Sequence, residues 1–301
     1  MEQNGGLQNS RFRTAYAYAM RRRGARGESL LRYLSEGGRE RLLEGPTPAH
    51  DPFTSPLVVG PAYGQGSALH IEAIHYSWWF SLLAPFSTGD QLKFLSLFDA
   101  DVREKMKRRL GLALPAPPLS PFVKGFMRRF IHDQLTASQE GLIPLEFLPD
   151  HPLNMLVTLT KPALQHVIDL LSLYDLRAEM RQMVGSRRLR MVGASLSSLQ
   201  RAYFRGLRQK EPRFFARLKL EDWDGERGTL QRMLHRRGLS RLGKALFGCH
   251  FSLLWHIMHR LDTGRAEVLR RAFTDVRNER TRAILIDQVS DVVTFIRGDH
   301  E

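Results

Sequence analysis

Residues 233–273 constrain the fold more than any other stretch, because apolar residues recur there at helical spacing for about three turns. Gly264 follows the last apolar turn and is predicted to end this helix, while Gly238 and Gly248 punctuate a shorter apolar run upstream. We therefore expect short helices joined by tight glycine turns, with Trp255 at the centre of their packing. The apolar stripe begins at Phe251, and the predicted structural core consists of Trp255, Leu254, Met258, Leu261 and Gly264.

Helical patterns also fill most of the remaining chain, whereas alternating strand patterns are scarce. The expected fold class is therefore all-α, with an irregular multi-helix domain and a smaller N-terminal helical unit. The predicted divisions are a flexible basic N-terminal region with a Pro/Gly-rich linker (1–67), a helical unit (68–111), a proline-rich linker (112–121) and a C-terminal α-helical domain (122–301).

Two further apolar patterns occur at the starts of these regions. Near the N-terminus, four residues share one helical face: Phe12, Tyr16, Ala19 and Met20. Such a stripe could anchor a chain at a membrane surface, but it covers only about two turns, so packing against the rest of the protein is favoured. The C-terminal domain opens with a helix whose apolar positions are Phe122, Phe126, Phe130 and Leu135.

Positive charge is concentrated in one part of the chain, which carries a formal net charge of +14 overall. Residues 177–244 hold 18 basic and 6 acidic residues, an excess of 12. This excess predicts a positive face that could meet an acidic protein, nucleic acid or anionic lipid, or could simply be solvated. The predicted partner-binding residues on this face are Arg236, Arg237, Arg241, Lys244, Arg187 and Arg188.

The spacing of three of these residues suggests how they are presented. Arg237, Arg241 and Lys244 follow one another at i, i+4 and i+7, so they share one side of a helix. The leucines of the same segment lie largely on the opposite side. We therefore expect these charges to be exposed, and expect their replacement to cost little stability.

Cys249 and three nearby histidines are the residues that most invite a chemical role. Cys249, His250, His256 and His259 could in principle bind a metal, or act as a nucleophile and base. However, His256 and His259 lack the His-x-x-x-His spacing of zinc-binding helices, and no glutamate base stands beside them. We expect packed histidines, no metal, no cofactor and no enzymatic activity.

The sequence also bears on the compartment in which the protein works. A single cysteine excludes an intrachain disulfide and suggests a reducing compartment. The chain has no apolar run of about 18 residues and no apolar segment typical of a secretory signal near its first residue. These features favour a cytoplasmic protein.

Three segments of the C-terminal half resemble the SctK (YscK-like) accessory proteins of bacterial type III secretion injectisomes. They are RQKE at 208–211, HRRGLSRLGKAL at 235–246 and HRLDTGR at 259–265. The likeness extends over roughly 150–271, about two fifths of the chain. It implies a helical, non-enzymatic protein at the cytoplasmic face of the inner membrane. Its expected role is to link the ring protein SctD to the pod protein SctQ and the ATPase complex within the sorting platform.

One alternative function remains open from the residues alone. The basic face at 177–244 could bind nucleic acid, although few aromatic residues interleave with its arginines and no helix-turn-helix pattern accompanies them. A metal-dependent or hydrolytic enzyme that uses Cys249 and its neighbouring histidines is a further, less favoured possibility.

Overall fold

A computed structural model describes residues 73–136, 139, 142–143, 145–183, 185–207, 215–276 and 278–298. All of these fall within the compact unit Ala68–Glu301. The region predicted as 1–67, with its amphipathic stripe, and the RQKE segment lie outside the described residues. Within the described ranges every regular element is helical and no strand occurs, so the all-α prediction is confirmed.

The described α-helices vary from five to twenty residues in length. In chain order they are α1 (Trp79–Leu83), α2 (Thr88–Leu95), α3 (Ala100–Leu110), α4 (Pro121–Thr136), α5 (Lys161–Leu171), α6 (Leu173–Met180), α7 (Ser186–Ser195), α8 (Ser198–Gly206), α9 (Arg227–Ala245), α10 (Phe251–Arg260), α11 (Thr263–Ala272) and α12 (Glu279–Gly298). Short 3₁₀ helices occupy Tyr76–Trp78, Leu145–Phe147, Pro152–Thr158 and Leu220–Asp222.

Local side-chain caps fix where several helices begin. Ser197 caps α8 in a full capping box, in which its hydroxyl accepts from the backbone N–H of Gln200 and the Gln200 side chain accepts from the backbone N–H of Ser197. Thr160 caps α5, and Asp262 caps α11 by accepting from the N–H of Arg265. Each cap satisfies a backbone N–H that has no partner inside its helix.

Two clusters of buried apolar side chains form the interior. The first joins α1 to α4, and Trp79, Leu95 and Ile131 are almost inaccessible within it. Leucine and alanine side chains of the segment between α3 and α4 pack against the same cluster. Helix α4 therefore packs with the helices that precede the proline-rich linker 112–121, whereas the predicted division assigned it to the domain that follows that linker.

The second cluster contains α5 to α12 and is arranged around α9, which contacts α5, α7, α11 and α12. Gly238 does not interrupt α9, contrary to the prediction, but lies inside it at the closest approach to α5. A Cβ atom at this position would lie 1.7 Å from the carbonyl oxygen of Ile168. Gly248 does form a turn, with φ +87°, between α9 and α10. Gly238 therefore permits close packing of α9 against α5, whereas Gly248 permits the turn between α9 and α10.

Helix α10 is enclosed more completely than its predicted stripe implies. Leu253 and Ile257, which lie off the stripe, are as inaccessible as Trp255, whereas Phe251 at its start is 41% exposed. A helix that is buried on nearly every side occupies the interior of a domain. Gly264 was predicted to end α10, but it is exposed and lies in the first turn of α11; α10 ends at Leu261 in extended backbone.

Candidate partner-binding surfaces

Arg241 is not the exposed partner-binding residue that the sequence predicts, because only 2% of its surface is accessible. Its Nη1 atom lies 2.8 Å from Oδ1 of Asp175 on α6. Its Nη2 atom donates to the side-chain oxygen of Gln288 on α12. The guanidinium also lies over the ring of Tyr174, 5.2 Å from its centroid. Arg241 thus joins three helices in the second cluster.

Arg237 and Lys244 lie on the same side of α9 and also make internal contacts. Nη2 of Arg237 donates to the carbonyl of Ala216 at 2.9 Å, and the Lys244 ammonium donates to the Thr274 hydroxyl at 3.1 Å. Both cations lie within 6 Å of the ring of Phe215, as does the Arg241 guanidinium. These three cations therefore hold the chain segment 215–217 against α9.

The position of α9 explains why Arg237, Arg241 and Lys244 make internal contacts instead of facing solvent. The shared face that the sequence predicts for its cations does exist, but it is turned toward α6, α12 and the segment at 215–217. A helix with neighbours on several sides has little surface left for solvent. Its cations therefore pair with an acid, with carbonyls and with aromatic rings, since an unpaired buried charge would be costly.

The remaining three predicted residues divide between surface and interior. Arg236 on α9 and Arg187 on α7 are exposed, as the prediction requires. Arg188 is half-buried, and its Nη2 donates to the carbonyl of Trp223 at 3.2 Å. Arg236 and Arg187 therefore remain candidates for partner binding, whereas Arg188 supports the loop before α9.

Helix α8 carries two exposed arginines that were not among the residues predicted from the sequence. Arg201 and Arg205 lie at i and i+4, both are exposed, and neither side chain has an ion-pair partner among the described residues. Buried Gln200 and Tyr203 occupy the opposite side of the same helix. The i, i+4 spacing of Arg201 and Arg205 shows that they share a side of α8, but it does not show which side is exposed. The name arginine surface is used below for four exposed arginines of α7, α8 and α9: Arg187, Arg201, Arg205 and Arg236.

Helix α4 presents the opposite arrangement, with large apolar side chains turned to solvent. Phe122 is 81% exposed and Phe126 is 65% exposed, and both lie on one side of the helix at i and i+4. The adjacent residues Met127 and Ile131 are buried in the first cluster instead. The sequence placed both phenylalanines among the apolar positions of α4 correctly, but the buried side of the helix is the neighbouring one. We call Phe122 and Phe126 the phenylalanine pair.

Basic side chains accompany the phenylalanine pair. Lys124 and Arg129 lie on α4, and Arg109 lies in the last turn of α3. None of the three has an acidic partner among the described residues. Asp133, one turn beyond Arg129, lies 3.1 Å from Nδ1 of His132. Helix α4 therefore carries two cations without an acidic partner, Lys124 and Arg129, within three residues of Phe126 in the sequence.

Cys249 lies in an environment that suppresses its reactivity. Burial raises the pKa of its thiol to about 11, so almost none is in the nucleophilic thiolate form near neutral pH. The sulfur lies 3.5 Å from both ring nitrogens of His151, a residue that the sequence analysis did not associate with it. Burial also lowers the pKa of His151, which disfavours protonation of that ring.

The three histidines near Cys249 have separate structural roles. His250 caps α10 by accepting from the N–H of Ser252, and Nε2 of His256 donates to the carbonyl of Ile143 at 2.9 Å. His259 Nδ1 donates to the carbonyl of Trp255 at 2.8 Å. Across the described part of the chain, no group of three or more His, Cys, Asp or Glu side chains could hold a metal ion.

His259 also joins the two clusters through an aromatic stack. Its ring lies between the indoles of Trp255 and Trp78, with centroid distances of 3.8 and 4.1 Å. Trp78 packs against both clusters and donates from its indole nitrogen to the carbonyl of Leu261 at 2.9 Å. Burial lowers the pKa of His259 to about 4, so the stacked ring is neutral at physiological pH.

Among the described helices, none is both long and apolar enough to cross a membrane. A scan of protein-family models, a search of curated proteins and a search of solved structures each found no match to this chain.

Proposed function

We propose that this protein is a non-enzymatic adaptor of a type III secretion sorting platform. In this role it works at the cytoplasmic face of the inner membrane. It links the inner-membrane ring protein SctD to the pod protein SctQ and the ATPase complex, as the resemblance to SctK proteins implies. An adaptor of this kind performs no reaction and requires two surfaces that can be occupied at the same time.

The observation that carries this proposal is the presence of two chemically different exposed surfaces on two different clusters. The phenylalanine pair lies on α4, which packs in the first cluster. The arginine surface lies on α7, α8 and α9, which pack in the second. An apolar surface and a cationic surface select different partners, because one is stabilised by desolvation and the other by opposite charge.

The segments that carry the resemblance occupy organising positions in the fold, which also supports the proposal. HRRGLSRLGKAL spans the second half of α9, with the close-packed Gly238 and the buried Arg241. HRLDTGR contains the stacked His259 and the Asp262 cap of α11. Such residues would characterise a family that shares this helical arrangement, whatever partners its members bind.

Affinity purification from the native bacterium tests the adaptor role. The tagged full-length protein is recovered after brief crosslinking, and copurifying proteins are quantified by mass spectrometry. We expect components of both the membrane ring and the pod, and expect loss of type III secretion when the gene is deleted. Recovery of neither component, together with normal secretion in the deletion strain, would refute the proposal.

The arginine surface also supports a second candidate function, which is nucleic-acid binding. Its exposed arginines lack acidic partners among the described residues, as phosphate-binding side chains do before nucleic acid is bound. A mobility-shift titration with double-stranded DNA and with RNA distinguishes the two functions. Binding that persists at physiological salt, weakens steeply as salt rises and is lost in Arg201→Glu/Arg205→Glu would favour this alternative. The adaptor proposal expects no such binding.

A further inference from the structure

We infer that the phenylalanine pair on α4 docks an acidic amphipathic helix from a partner protein. The inference rests on the proposed binding role and goes beyond it, because it names a surface and the chemistry of its occupant. The starting point is the exposure of Phe122 and Phe126, which together present on the order of 300 Å² of ring surface to solvent. Contiguous exposed apolar patches of a few hundred Å² commonly mark interaction sites.

The pair is held rigidly, which suits it to docking. Met127 and Ile131 fix the neighbouring side of α4 in the first cluster, and Phe130 packs near Phe86 and Phe94 with centroid distances of 6.2 and 6.1 Å. The two exposed rings therefore project from an ordered helix instead of a loose loop. The phenylalanine pair thus forms a rigid apolar ridge on α4, and such a ridge loses little conformational entropy when a partner covers it.

The size of the ridge matches one crossing helix. Phe122 and Phe126 lie about 6 Å apart along the axis of α4, and a helix with side chains is about 10 Å across. On the same outward side the apolar ridge stops at Arg129 and then Asp133, both of which are exposed. A helix that crosses α4 could cover both rings with residues at i, i+3 and i+4, the usual anchors of a helix in a groove.

The surrounding charge indicates that the occupant is acidic. Lys124 and Arg129 lack acidic partners among the described residues, and both lie on α4 with the phenylalanine pair. Phe122 is also at the N-terminal end of α4, where the helix dipole favours negative charge. Acidic residues that flank the apolar stripe of the docking helix would therefore be attracted to this end of α4.

Two other occupants fit the ridge less well. A second copy of this chain would bring the same basic residues together, and the ridge is smaller than the roughly 800 Å² per partner of a standard stable interface. An anionic bilayer would meet the two rings and the partly exposed Val123 before it met Asp133, since Met127 and Ile131 are buried in the first cluster. Both alternatives become outcomes of the test below.

A displayed library of random amphipathic helices tests this inference with purified full-length protein. Clones are selected on the wild-type protein and counter-selected on Phe122→Ser/Phe126→Ser, whose changes lie at exposed positions and should leave the melting temperature unchanged. We expect the enriched peptides to combine an apolar i, i+3, i+4 stripe with an excess of Asp and Glu. An enriched set without acidic excess, or the absence of any enriched set, would overturn the inference.

Binding measurements with the strongest selected peptide then place it on the protein. We expect the affinity to fall at least about tenfold in Phe122→Ser/Phe126→Ser and several-fold in Arg129→Glu. The matched control is Phe251→Ser, which removes an exposed phenylalanine of α10 and should leave the affinity unchanged. Equal binding by all four proteins would place the peptide elsewhere and refute docking on α4.

Two further arms identify the rejected occupants. The first arm measures whether the protein is retained on vesicles of phosphatidylcholine and phosphatidylserine only when the phenylalanine pair is intact, while no peptide binds. That result would show that the pair binds a membrane surface and not a helix. A concentration-dependent dimer that Phe122→Ser/Phe126→Ser abolishes would replace it by a second copy. These assays use no secretion component. Normal secretion in the deletion strain would therefore remove the proposed function without affecting peptide binding, and failed selection would remove only this inference.

Discussion

Helices α4 and α9 reverse the usual distribution of side chains, and they do so in opposite ways. Helix α4 exposes two phenylalanines and buries Met127 and Ile131 beside them. Helix α9 buries Arg241 and engages Arg237 and Lys244 in internal contacts. Spacing identifies which residues share a side of a helix, but the neighbouring helices decide which side is covered. The following experiments test whether this contrast is correct.

The largest effect is expected from the buried cation of α9. Arg241→Ala leaves the Asp175 carboxylate without its closest ion-pair partner inside the protein and should lower the free energy of unfolding by about 3–5 kcal/mol. Arg236→Ala removes the same charge five residues away at an exposed position, and should cost no more than about 0.5 kcal/mol. Urea unfolding curves measure both values. Equal costs would mean that Arg241 faces solvent after all.

A second pair of substitutions tests the orientation of α4. Met127→Ala removes a buried side chain and should cost about 2–5 kcal/mol, because it leaves a cavity in the first cluster. Phe126→Ala, at the preceding residue, removes a larger side chain but should cost no more than about 0.5 kcal/mol. Thermal and urea unfolding would detect the difference. A greater loss from Phe126→Ala would show that the phenylalanine pair is part of the core.

Close packing against α9 gives a smaller expected effect. Gly238→Ala would place a Cβ atom against the carbonyl oxygen of Ile168, so α5 and α9 must separate at a cost of about 1–3 kcal/mol or more. Gly193→Ala in α7 meets no atom within 4 Å and should instead stabilise the protein by about 0.5–1 kcal/mol. Opposite signs in urea unfolding are the expected result, whereas a stabilising Gly238→Ala would contradict the contact.

The pH dependence of stability tests the stacked His259. Its pKa is lowered by burial to about 4 from an ordinary value of 6.5, so between these values the unfolded state binds more protons than the folded state. The contribution of His259 to the free energy of unfolding is therefore fully present above about pH 6.5. The free energy of unfolding should fall by about 1 kcal/mol between pH 7.5 and 5.5.

His259→Phe is the informative comparison for this pH effect, because it keeps an aromatic ring between the two indoles and removes the titrating group. Urea midpoints at the two pH values should differ less in this variant than in the parent protein. Burial also lowers the pKa of His75, His151 and His250, which adds to the slope in both proteins. Identical slopes would show that His259 does not titrate in this range.

Much of the fold follows from local patterns that require no knowledge of distant contacts. In α5, Leu164, Val167, Ile168 and Leu171 recur at helical spacing as one apolar stripe, and all four are buried. The stripe of α12, Leu285, Val289, Val292 and Ile296, is buried as well. Ser197 and Asp262 cap helices as their positions suggest. Periodicity and capping depend on neighbours within a few residues, so the sequence displays them directly.

The remaining features depend on residues that are far apart in the chain. Asp175, which pairs with Arg241, lies 66 residues before it. Ile168, which requires glycine at position 238, is separated from it by a similar stretch of chain, and Trp78 reaches Leu261 across 183 residues. No local pattern distinguishes an inward arginine from an outward one. For the same reason, the arginine surface and the phenylalanine pair became identifiable only when the helices were placed together.

Cysteine accessibility tests the reversed arrangement of α4 and α9 most directly. The one cysteine of the chain, Cys249, is buried and has a raised thiol pKa. It should therefore react slowly with maleimide, so background labelling is low. Single substitutions Phe126→Cys, Met127→Cys, Arg236→Cys and Arg241→Cys are introduced into the full-length protein. Native labelling rates are then measured by mass spectrometry and compared with rates in denaturant.

We expect Phe126→Cys and Arg236→Cys to react near their unfolded rates. Met127→Cys and Arg241→Cys should react at least about a hundredfold more slowly, because they become accessible only when the structure opens. Faster labelling of Met127→Cys than Phe126→Cys, or of Arg241→Cys than Arg236→Cys, would contradict the account and remove the structural basis for both binding surfaces.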